Sequence, residues 1–225
     1  MGCKYQHDRP AFEKTYREVS APLPRRSPDQ GLFYTYLTQR GLNARLASDN
    51  GWFPSRDAGD HAPRIVIPCS TGTGRVYWQA RAMYPSALPR YQSPPVRRGD
   101  ALVLTFPNQG TYNAIQGYTK QVMIVEGPLD ALAVSGAGYT GVGLMGNNPP
   151  AIVLERIVRM FRDTAQEVFI FADSDALGEM SNVSIKLSSE GLKIKLIHAN
   201  GYKDPASLPV DSRAEILRTL TNALR

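Results

Sequence analysis

The sequence predicts an α/β fold in its second half, with a parallel sheet flanked by helices, and a smaller mixed α+β unit in its first half. Short apolar runs alternate with amphipathic segments after residue 120. Turn residues such as Gly136 and Gly191 separate these segments. Regular alternation of strand and helix is typical of a parallel sheet that is covered on both faces.

The apolar runs of the second half have the length of buried strands, and the segments between them have helical periodicity. The first run ends at Glu126-Gly127, and Pro128 then stands where proline favours a helix start. The predicted strands are residues 122–125, 140–144, 168–172 and 193–197. Two of the predicted helices are residues 129–135 and residues 182–190. A third begins after Pro149-Pro150, and its apolar face consists of Ile152, Val153, Ile157, Met160 and Phe161.

The first half has weaker patterns. Gly41 ends a predicted helix at residues 31–39, and a turn at residues 71–74 predicts a hairpin between strands 64–68 and 75–81. The apolar run 101–106 has no clear type. Loops are predicted at 50–63 and 84–99, and a short helix at 12–19. The predicted organisation is an N-terminal arm at residues 1–30, a basic subdomain at 31–120, and an α/β domain with a C-terminal helix at 121–225.

Composition excludes several classes of protein. Of 225 residues, 42% are hydrophobic and 20% charged, which excludes a wholly disordered chain. The sequence contains no stretch of about 18 apolar residues, so no membrane span is predicted. Residues 1–10 lack the apolar region of a secretory signal. Cys3 and Cys69 lie too far apart for a Cys-x-x-Cys zinc pair and exclude a disulfide scaffold. We therefore expect a cytoplasmic protein, or one in the host cytoplasm if it is viral, without zinc.

Positive charge is concentrated in the first half. Residues 1–120 contain 16 Lys and Arg against 8 Asp and Glu, a net charge of +8, whereas residues 121–225 have a net charge of −2. Of these 16 cations, 13 are arginine, which pairs with phosphate through a planar fork of donors. This bias predicts a polyanionic partner, either a nucleotide or a nucleic acid. A solvated basic face is an equally good interpretation of the charge alone.

Carboxylates follow the predicted strands. Glu126 comes directly after the first strand, Asp173 and Asp175 after the third, and Asp204 shortly after the fourth, while Asp130 stands one helical turn beyond Glu126. Because functional groups collect at the carboxyl ends of parallel strands, we expect these five acids at one edge of the sheet. Such a cluster suits Mg²⁺ or Mn²⁺. Taken singly, each acid is better explained as a turn residue or helix cap, Asp173 and Asp175 included.

Three segments carry a resemblance to a known family. Residues 122–132, 169–178 and 202–207 resemble the TOPRIM domain, which is shared by primases, topoisomerases and some nucleases. Lys203-Asp204-Pro205 points to the primase branch. Segments of the first half at 36–42, 64–68, 79–81 and 90–94 are similar, in order, to the N-terminal subdomain of DnaG-type primase catalytic cores. The resemblance implies synthesis of short RNA primers from NTPs on a single-stranded DNA template during DNA replication.

The resemblance also implies roles for individual residues. Metal ligands are implied at Glu126, Asp173, Asp175 and Asp204, with catalytic carboxylates at Glu126, Asp130, Asp173 and Asp175. Residues that line the nucleotide and template groove are implied at Arg40, Arg81, Arg90, Tyr91, Arg98 and Lys203. The implied cofactor is Mg²⁺ or Mn²⁺, and the implied partners are NTPs and single-stranded DNA.

Departures from the family pattern leave alternatives open. Cys3, His7 and Cys69 do not supply the zinc ribbon of such primases, so a replicative helicase or a zinc-bearing protein is expected as a separate partner, with residues 23–28 as the tether. A phage or mobile element is the expected source. One alternative is a TOPRIM nuclease, for which His198 is the nearest general base. The other is a non-catalytic nucleic-acid-binding module of the replisome.

Overall fold

The computed structural model describes residues 20–59, 61–107, 121–165, 167–198 and 201–224. None of the helices in these ranges has the length and apolar character that crossing a membrane requires. The helix predicted at residues 12–19 lies outside the described residues.

Helices and strands alternate through the second half as predicted. The helices are α1 (Gln30–Gln39), α2 (Ala44–Asp49), α3 (Pro128–Gly136), α4 (Ala151–Phe161), α5 (Leu177–Ser189) and α6 (Arg213–Asn222), with a 3-10 turn at Pro205–Ser207. The strands are β1 (Phe53–Ser55), β2 (Arg64–Cys69), β3 (Tyr77–Ala82), β4 (Tyr91–Gln92), β5 (Val103–Thr105), β6 (Gln121–Val125), β7 (Thr140–Gly143), β8 (Glu167–Phe171) and β9 (Ile194–Ile197).

The larger sheet confirms the predicted α/β class. Its five strands lie in the order β5-β7-β6-β8-β9, and β6, β7, β8 and β9 are parallel. The run whose type the sequence left open is the edge strand β5, which pairs antiparallel with β7. A strand from before residue 120 therefore lies in the second sheet, so the two sheets do not divide at that residue. The predicted domain boundary remains a prediction.

Alternate residues of β6 pack on opposite faces of this sheet. Val122 and Ile124 lie in a core with α4 and α5. Met123 and Val125 lie in a second core, which also contains Phe33 of α1 and side chains of the smaller sheet. Since strands of a parallel sheet are buried on both faces, β6 is apolar at every inward position. The second core joins the two halves of the chain.

The smaller sheet is antiparallel, in the order β1-β2-β3-β4. The predicted hairpin is confirmed, since β2 and β3 pair from Arg64 opposite Ala82 to Cys69 opposite Tyr77. The predicted loops 50–63 and 84–99 were wrong in part, because each contains an edge strand, β1 and β4. These strands are only three and two residues long, and backbone pairing with a longer neighbour stabilises them where local sequence preference does not.

The described part of the predicted arm packs along the smaller sheet. Ala21 N–H donates to the carbonyl of Val76 at 3.0 Å, and Ser27 N–H donates to that of Pro54 at 2.9 Å. The indole of Trp78 donates to the carbonyl of Pro22 at 3.0 Å. The role of residues 23–28 as a tether to a partner remains a prediction.

Candidate active site

A cavity of about 500 Å³ lies where the smaller sheet meets the carboxyl ends of β6 and β8. It brings together most of the residues that the sequence singled out. Its polar lining is Arg40, Arg81, Arg90, Tyr91, Glu126, Asp130, Asp173, Lys203, Asp204 and Ser207. Acids from the second half form one side, which we call the acidic wall (Glu126, Asp130, Asp173 and Asp204). Side chains from the first half form the basic wall (Arg40, Arg81, Arg90 and Tyr91).

The strand ends and the helix that follows β6 position the acidic wall. Glu126 follows β6 directly, and Asp130 lies in the first turn of α3, which begins at Pro128. A Cβ on Gly127 would stand 2.7 Å from Oδ2 of Asp130. Glycine at this position therefore lets the carboxylate fold back against the backbone.

Asp130 is almost fully buried at 9% exposure. Its Oδ1 accepts a hydrogen bond from the backbone N–H of Ala206 at 3.2 Å. Burial raises the pKa of Asp130 to about 8, and the negative charges of Asp204 and Asp173 add to this effect. In the absence of a cation, its carboxyl group therefore holds a proton near neutral pH.

Asp173 is also buried, at 8% exposure. Its Oδ1 has no hydrogen-bond partner in the part of the chain that the structure describes. Burial raises the pKa of Asp173 to about 7, with Glu126 and Asp204 as the strongest neighbouring charges. The pKa of Glu126 is raised by burial and then by Asp175. Burial and the neighbouring carboxylates thus both disfavour the charged forms of these acids.

The capping explanation fails for the two acids after β8. The residue that caps α5 is Ala176, and no side chain bonds to the helix end. The capping explanation does hold for Asp204. Its Oδ1 accepts a hydrogen bond of 2.7 Å from the backbone N–H of Ser207 at the start of the 3-10 turn. One oxygen of Asp204 is thus committed to the backbone.

Asp175 does not line the cavity with the other predicted acids. Its Oδ2 lies 3.7 Å from Nζ of Lys203, and about two thirds of each side chain is exposed. The backbone N–H of Ser174 donates to the carbonyl of Lys203 at 2.9 Å, which holds the two loops together. Among the described residues, no three His, Cys, Asp or Glu side chains are already placed to hold a metal ion.

The basic wall is ordered by aromatic rings. Nε of Arg81 donates to the hydroxyl of Tyr36 at 2.9 Å. The guanidinium of Arg81 also lies 4.7 Å from the ring centre of Tyr91, which stands opposite it in the β3–β4 register. The guanidinium of Arg40 lies 4.9 Å from the ring centre of Tyr36. Burial raises the pKa of Tyr91 to about 12, so it stays neutral.

Arg98 lies outside the cavity lining, contrary to its predicted place in the groove. Its guanidinium donates to the carbonyl of Ala101 at 3.1 Å and to that of Leu144. These bonds tie the first half to the end of β7 and favour a structural role. Arg64 and Arg75 are buried as well, and each donates to backbone carbonyls. Part of the arginine bias of the first half is therefore structural.

Arg213 connects the two walls. Its buried guanidinium donates to the carbonyl of Gly41 at 2.8 Å and to those of Ala206 and Leu208 at 2.9 Å. Gly41 directly follows Arg40, and Ala206 lies in the 3-10 turn of the acidic wall. Neither Arg213 nor Tyr36 was predicted as a site residue. One sequence signal was available, the spacing of four residues between Tyr36 and Arg40, which is typical of residues on the same helix face.

Comparisons with known proteins agree with this architecture. A family profile described as Toprim-like matches residues 123–208. A DnaG primase catalytic domain bound to single-stranded DNA matches with a TM-score of 0.64 and 15% identity, over 88% of this chain and 73% of that chain. The Aquifex aeolicus primase, comprising zinc-binding and RNA polymerase domains, matches with a TM-score of 0.64 and 20% identity, over 84% of this chain and 55% of that chain.

A phage structure is similar as well. A chain of the bacteriophage T7 lagging-strand DNA polymerase complex, which contains the primase domains of two gp4 subunits, matches with a TM-score of 0.56 and 16% identity, over 83% of this chain and 90% of that chain. No curated protein sequence matches significantly. The chain has the fold of DnaG primase catalytic domains, with a Toprim-like sheet, as the motifs at residues 122–132, 169–178 and 202–207 predicted.

Proposed function

We propose that this protein is a DNA primase-type nucleotidyltransferase, which joins ribonucleotides into short RNA primers on single-stranded DNA. The observation that carries the proposal is the cavity of about 500 Å³, with carboxylates on one side and arginines on the other. A nucleoside triphosphate with its metal ion presents the complementary charges. The DnaG catalytic-domain fold supports the same reading.

The acidic wall fits a hard divalent cation. All of its donors are carboxylate oxygens, which Mg²⁺ and Mn²⁺ prefer. Asp173 supplies a buried oxygen without a partner among the described residues. Glu126, Asp173 and the exposed Asp175 would hold the ion, with the uncommitted oxygen of Asp204 beside them. When bound, the ion would neutralise charge on the phosphate oxygens during displacement.

The basic wall would bind and orient the triphosphate. In the proposed reaction the 3′-hydroxyl of one nucleotide attacks the α-phosphate of the next, and pyrophosphate leaves. Arg40, Arg81 and Arg90 line the cavity opposite the acids, so their donors would hold the phosphates in a fixed orientation. Arg40 and Arg90 are exposed at the cavity mouth, where they would also contact the template backbone.

Template delivery is a separate part of the proposal. We infer that a replicative helicase or a zinc-bearing protein brings single-stranded DNA to the cavity and raises a weak intrinsic activity. The phage complex with primase domains supports a phage or mobile-element source. A test compares priming on a panel of templates with and without a helicase from the same replicon. Strong sequence selectivity by the protein alone would contradict this part.

The central experiment uses radiolabelled NTPs, single-stranded DNA and Mg²⁺ or Mn²⁺, with products resolved by size. We expect new short RNA from the wild-type protein and none from Asp173→Asn, which removes a charge without removing core packing. Asp163→Asn, an exposed acid beyond α4, is the matched control and should stay active. Shortened DNA instead of new RNA would favour a TOPRIM nuclease. His198, its nearest general base, is exposed and does not line the cavity.

A further inference from the structure

Three residues of the basic wall and Tyr36, which is not part of the cavity lining, form an alternating column of cations and rings. The proposed function does not by itself explain this column. In order, it consists of Arg40, Tyr36, Arg81 and Tyr91, and we call it the arginine–tyrosine ladder. Arg40 lies over the ring of Tyr36, and Arg81 lies over the ring of Tyr91, with guanidinium-to-centroid distances of 4.9 and 4.7 Å. The hydroxyl of Tyr36 accepts from Nε of Arg81 at 2.9 Å and joins the two pairs.

Tyr36 is the central member because it contacts both Arg40, at the end of its own helix, and Arg81, in the smaller sheet. It comes from α1, whereas Arg81 and Tyr91 come from the paired strands β3 and β4. Tyr36 is only 9% exposed, and Arg81 only 6%. The hydroxyl of Tyr36 is thus directed at a side chain that lines the cavity.

Arg81 is a buried cation without an anionic partner among the residues that the structure describes. In the described ranges it forms no ion pair within 4.0 Å, and the same holds for Arg40. A buried charge is costly unless it is paired. The buried Arg156, by contrast, lies 3.6 Å from a carboxylate oxygen of Asp100. The ladder therefore holds at the cavity a guanidinium whose charge has no anionic partner within 4.0 Å in the described ranges.

We infer that Tyr36 is a positioning residue for the triphosphate of the nucleotide, and that it acts through Arg81. Its hydroxyl engages Nε and not the Nη groups of Arg81, which belong to the fork that matches phosphate geometry. Because the guanidinium is already oriented, less conformational freedom is lost when a phosphate binds. The ring of Tyr36 orients Arg40 in the same way. This inference rests on the proposed function of the cavity.

The experiment is a binding titration that does not depend on priming. ATP and inorganic tripolyphosphate, each with Mg²⁺, are titrated calorimetrically into the full chain. Tyr36→Phe keeps the ring under Arg40 and removes only the hydroxyl. We expect it to weaken both ligands about tenfold, as loss of a hydrogen bond to a charged group does. Tyr36→Leu, which also removes the ring, should weaken both ligands further.

Two controls separate positioning from general stability. Tyr139→Phe is the matched variant, because the hydroxyl of Tyr139 makes a buried hydrogen bond of 3.1 Å to Thr221 away from the cavity. Each variant removes a buried hydrogen bond, so both should lower the melting temperature. Tyr139→Phe should nevertheless leave the affinities for ATP and tripolyphosphate unchanged. In an Arg81→Ala background, Tyr36→Phe should weaken binding less than twofold further, because the residue through which it acts is gone.

Three results would overturn the inference. They are unchanged affinity in Tyr36→Phe, an equal loss in Tyr139→Phe, and a full tenfold loss that persists in the Arg81→Ala background. Failure of the proposed function gives a different pattern. If the wild-type protein binds the triphosphate with the expected variant effects but makes no RNA, the role of Tyr36 stands and the primase proposal fails.

Discussion

Replacing Asp130 with asparagine should remove much of the pH dependence of stability of the metal-free protein. Asparagine retains an oxygen that accepts from the N–H of Ala206, a bond of 3.2 Å in the wild type. It cannot ionise, so the buried site stays neutral at every pH. The wild-type protein, in contrast, must either keep a proton on Asp130 or bury a charge beside Asp173 and Asp204.

The direction in which stability changes with pH follows from the raised pKa of Asp130, which moves from 3.8 to about 8 on folding. The folded state holds this proton more tightly than the unfolded state. Stability from the group is therefore fully present below pH 3.8 and is lost as the pH rises through about 8. At about 1.36 kcal/mol per pKa unit, the loss of unfolding free energy is at most about 6 kcal/mol. Because water can enter the cavity and stabilise the charge, we expect a loss of about 2 kcal/mol in the free energy of unfolding.

The assay is urea unfolding in EDTA, followed by circular dichroism, at several pH values across this range. The difference in unfolding free energy between Asp130→Asn and wild type should grow with pH in favour of the variant. Asp29→Asn is the control, because the hydrogen bond from Arg56 lowers the pKa of Asp29 below its ordinary value. Asp29 therefore does not titrate in the pH range between 3.8 and about 8 in which Asp130 acts. Parallel curves for Asp130→Asn and wild type would refute the reasoning. Added Mg²⁺ should stabilise the wild type most at high pH, since metal ligands must be deprotonated.

Three further outcomes are expected. Gly141→Ala should destabilise the fold by about 3 kcal/mol in urea unfolding, because its Cβ would stand 2.3 Å from the carbonyl of Ala131 and 2.4 Å from Oγ1 of Thr105; a stable variant would mean that α3 can shift. Arg156→Met should cost at least about 3 kcal/mol, because it leaves Asp100 buried and unpaired; a neutral effect would show that this ion pair does not hold the halves together. Single-stranded DNA should bind about tenfold more weakly at 200 mM than at 50 mM salt, and fluorescence anisotropy that shows no salt dependence would contradict a phosphate-binding groove.

The fold was predictable where periodicity and burial agree. Strand β8 was expected at residues 168–172 and lies at Glu167–Phe171, because an apolar run of this length is buried on both faces of a parallel sheet. The predicted helix 182–190 is longer than expected and begins at Leu177. Leu177, Gly178 and Glu179 of its first turn are exposed, so this turn has no buried apolar face that periodicity could reveal.

The missed elements are those that tertiary contacts stabilise. Strands β1 and β4 depend on pairing with β2 and β3. Helix α2 has only six residues, and its cap is Asn43, whose side chain accepts from the N–H of Leu46 at 2.9 Å. A helix this short is not stable without packing. Local sequence could not distinguish it from a loop.

The site was predictable to the extent that chain topology places it. Glu126 and Asp173 meet because parallel strands bring their carboxyl ends to one edge. The sequence could not show which arginine lines the cavity, since Arg81 and Arg98 have the same chemistry and differ only in what surrounds them. Tyr36 lies on the buried face of α1, which explains its ring but not its hydroxyl.

The two walls of the cavity carry opposite charges, yet they do not neutralise each other. In the described part of the chain, Arg40, Arg81 and Arg90 form no ion pair with the acidic wall, although all of them line the same cavity. Asp173 keeps an unpartnered oxygen, and its pKa is raised to about 7, mainly by burial and by its acidic neighbours. A purely structural cluster would gain from direct pairing across the gap. Walls held apart and unpaired are suited to a ligand that carries both signs of charge. The metal-bound triphosphate of the proposed reaction would be such a ligand, because it carries both a cation and anionic oxygens.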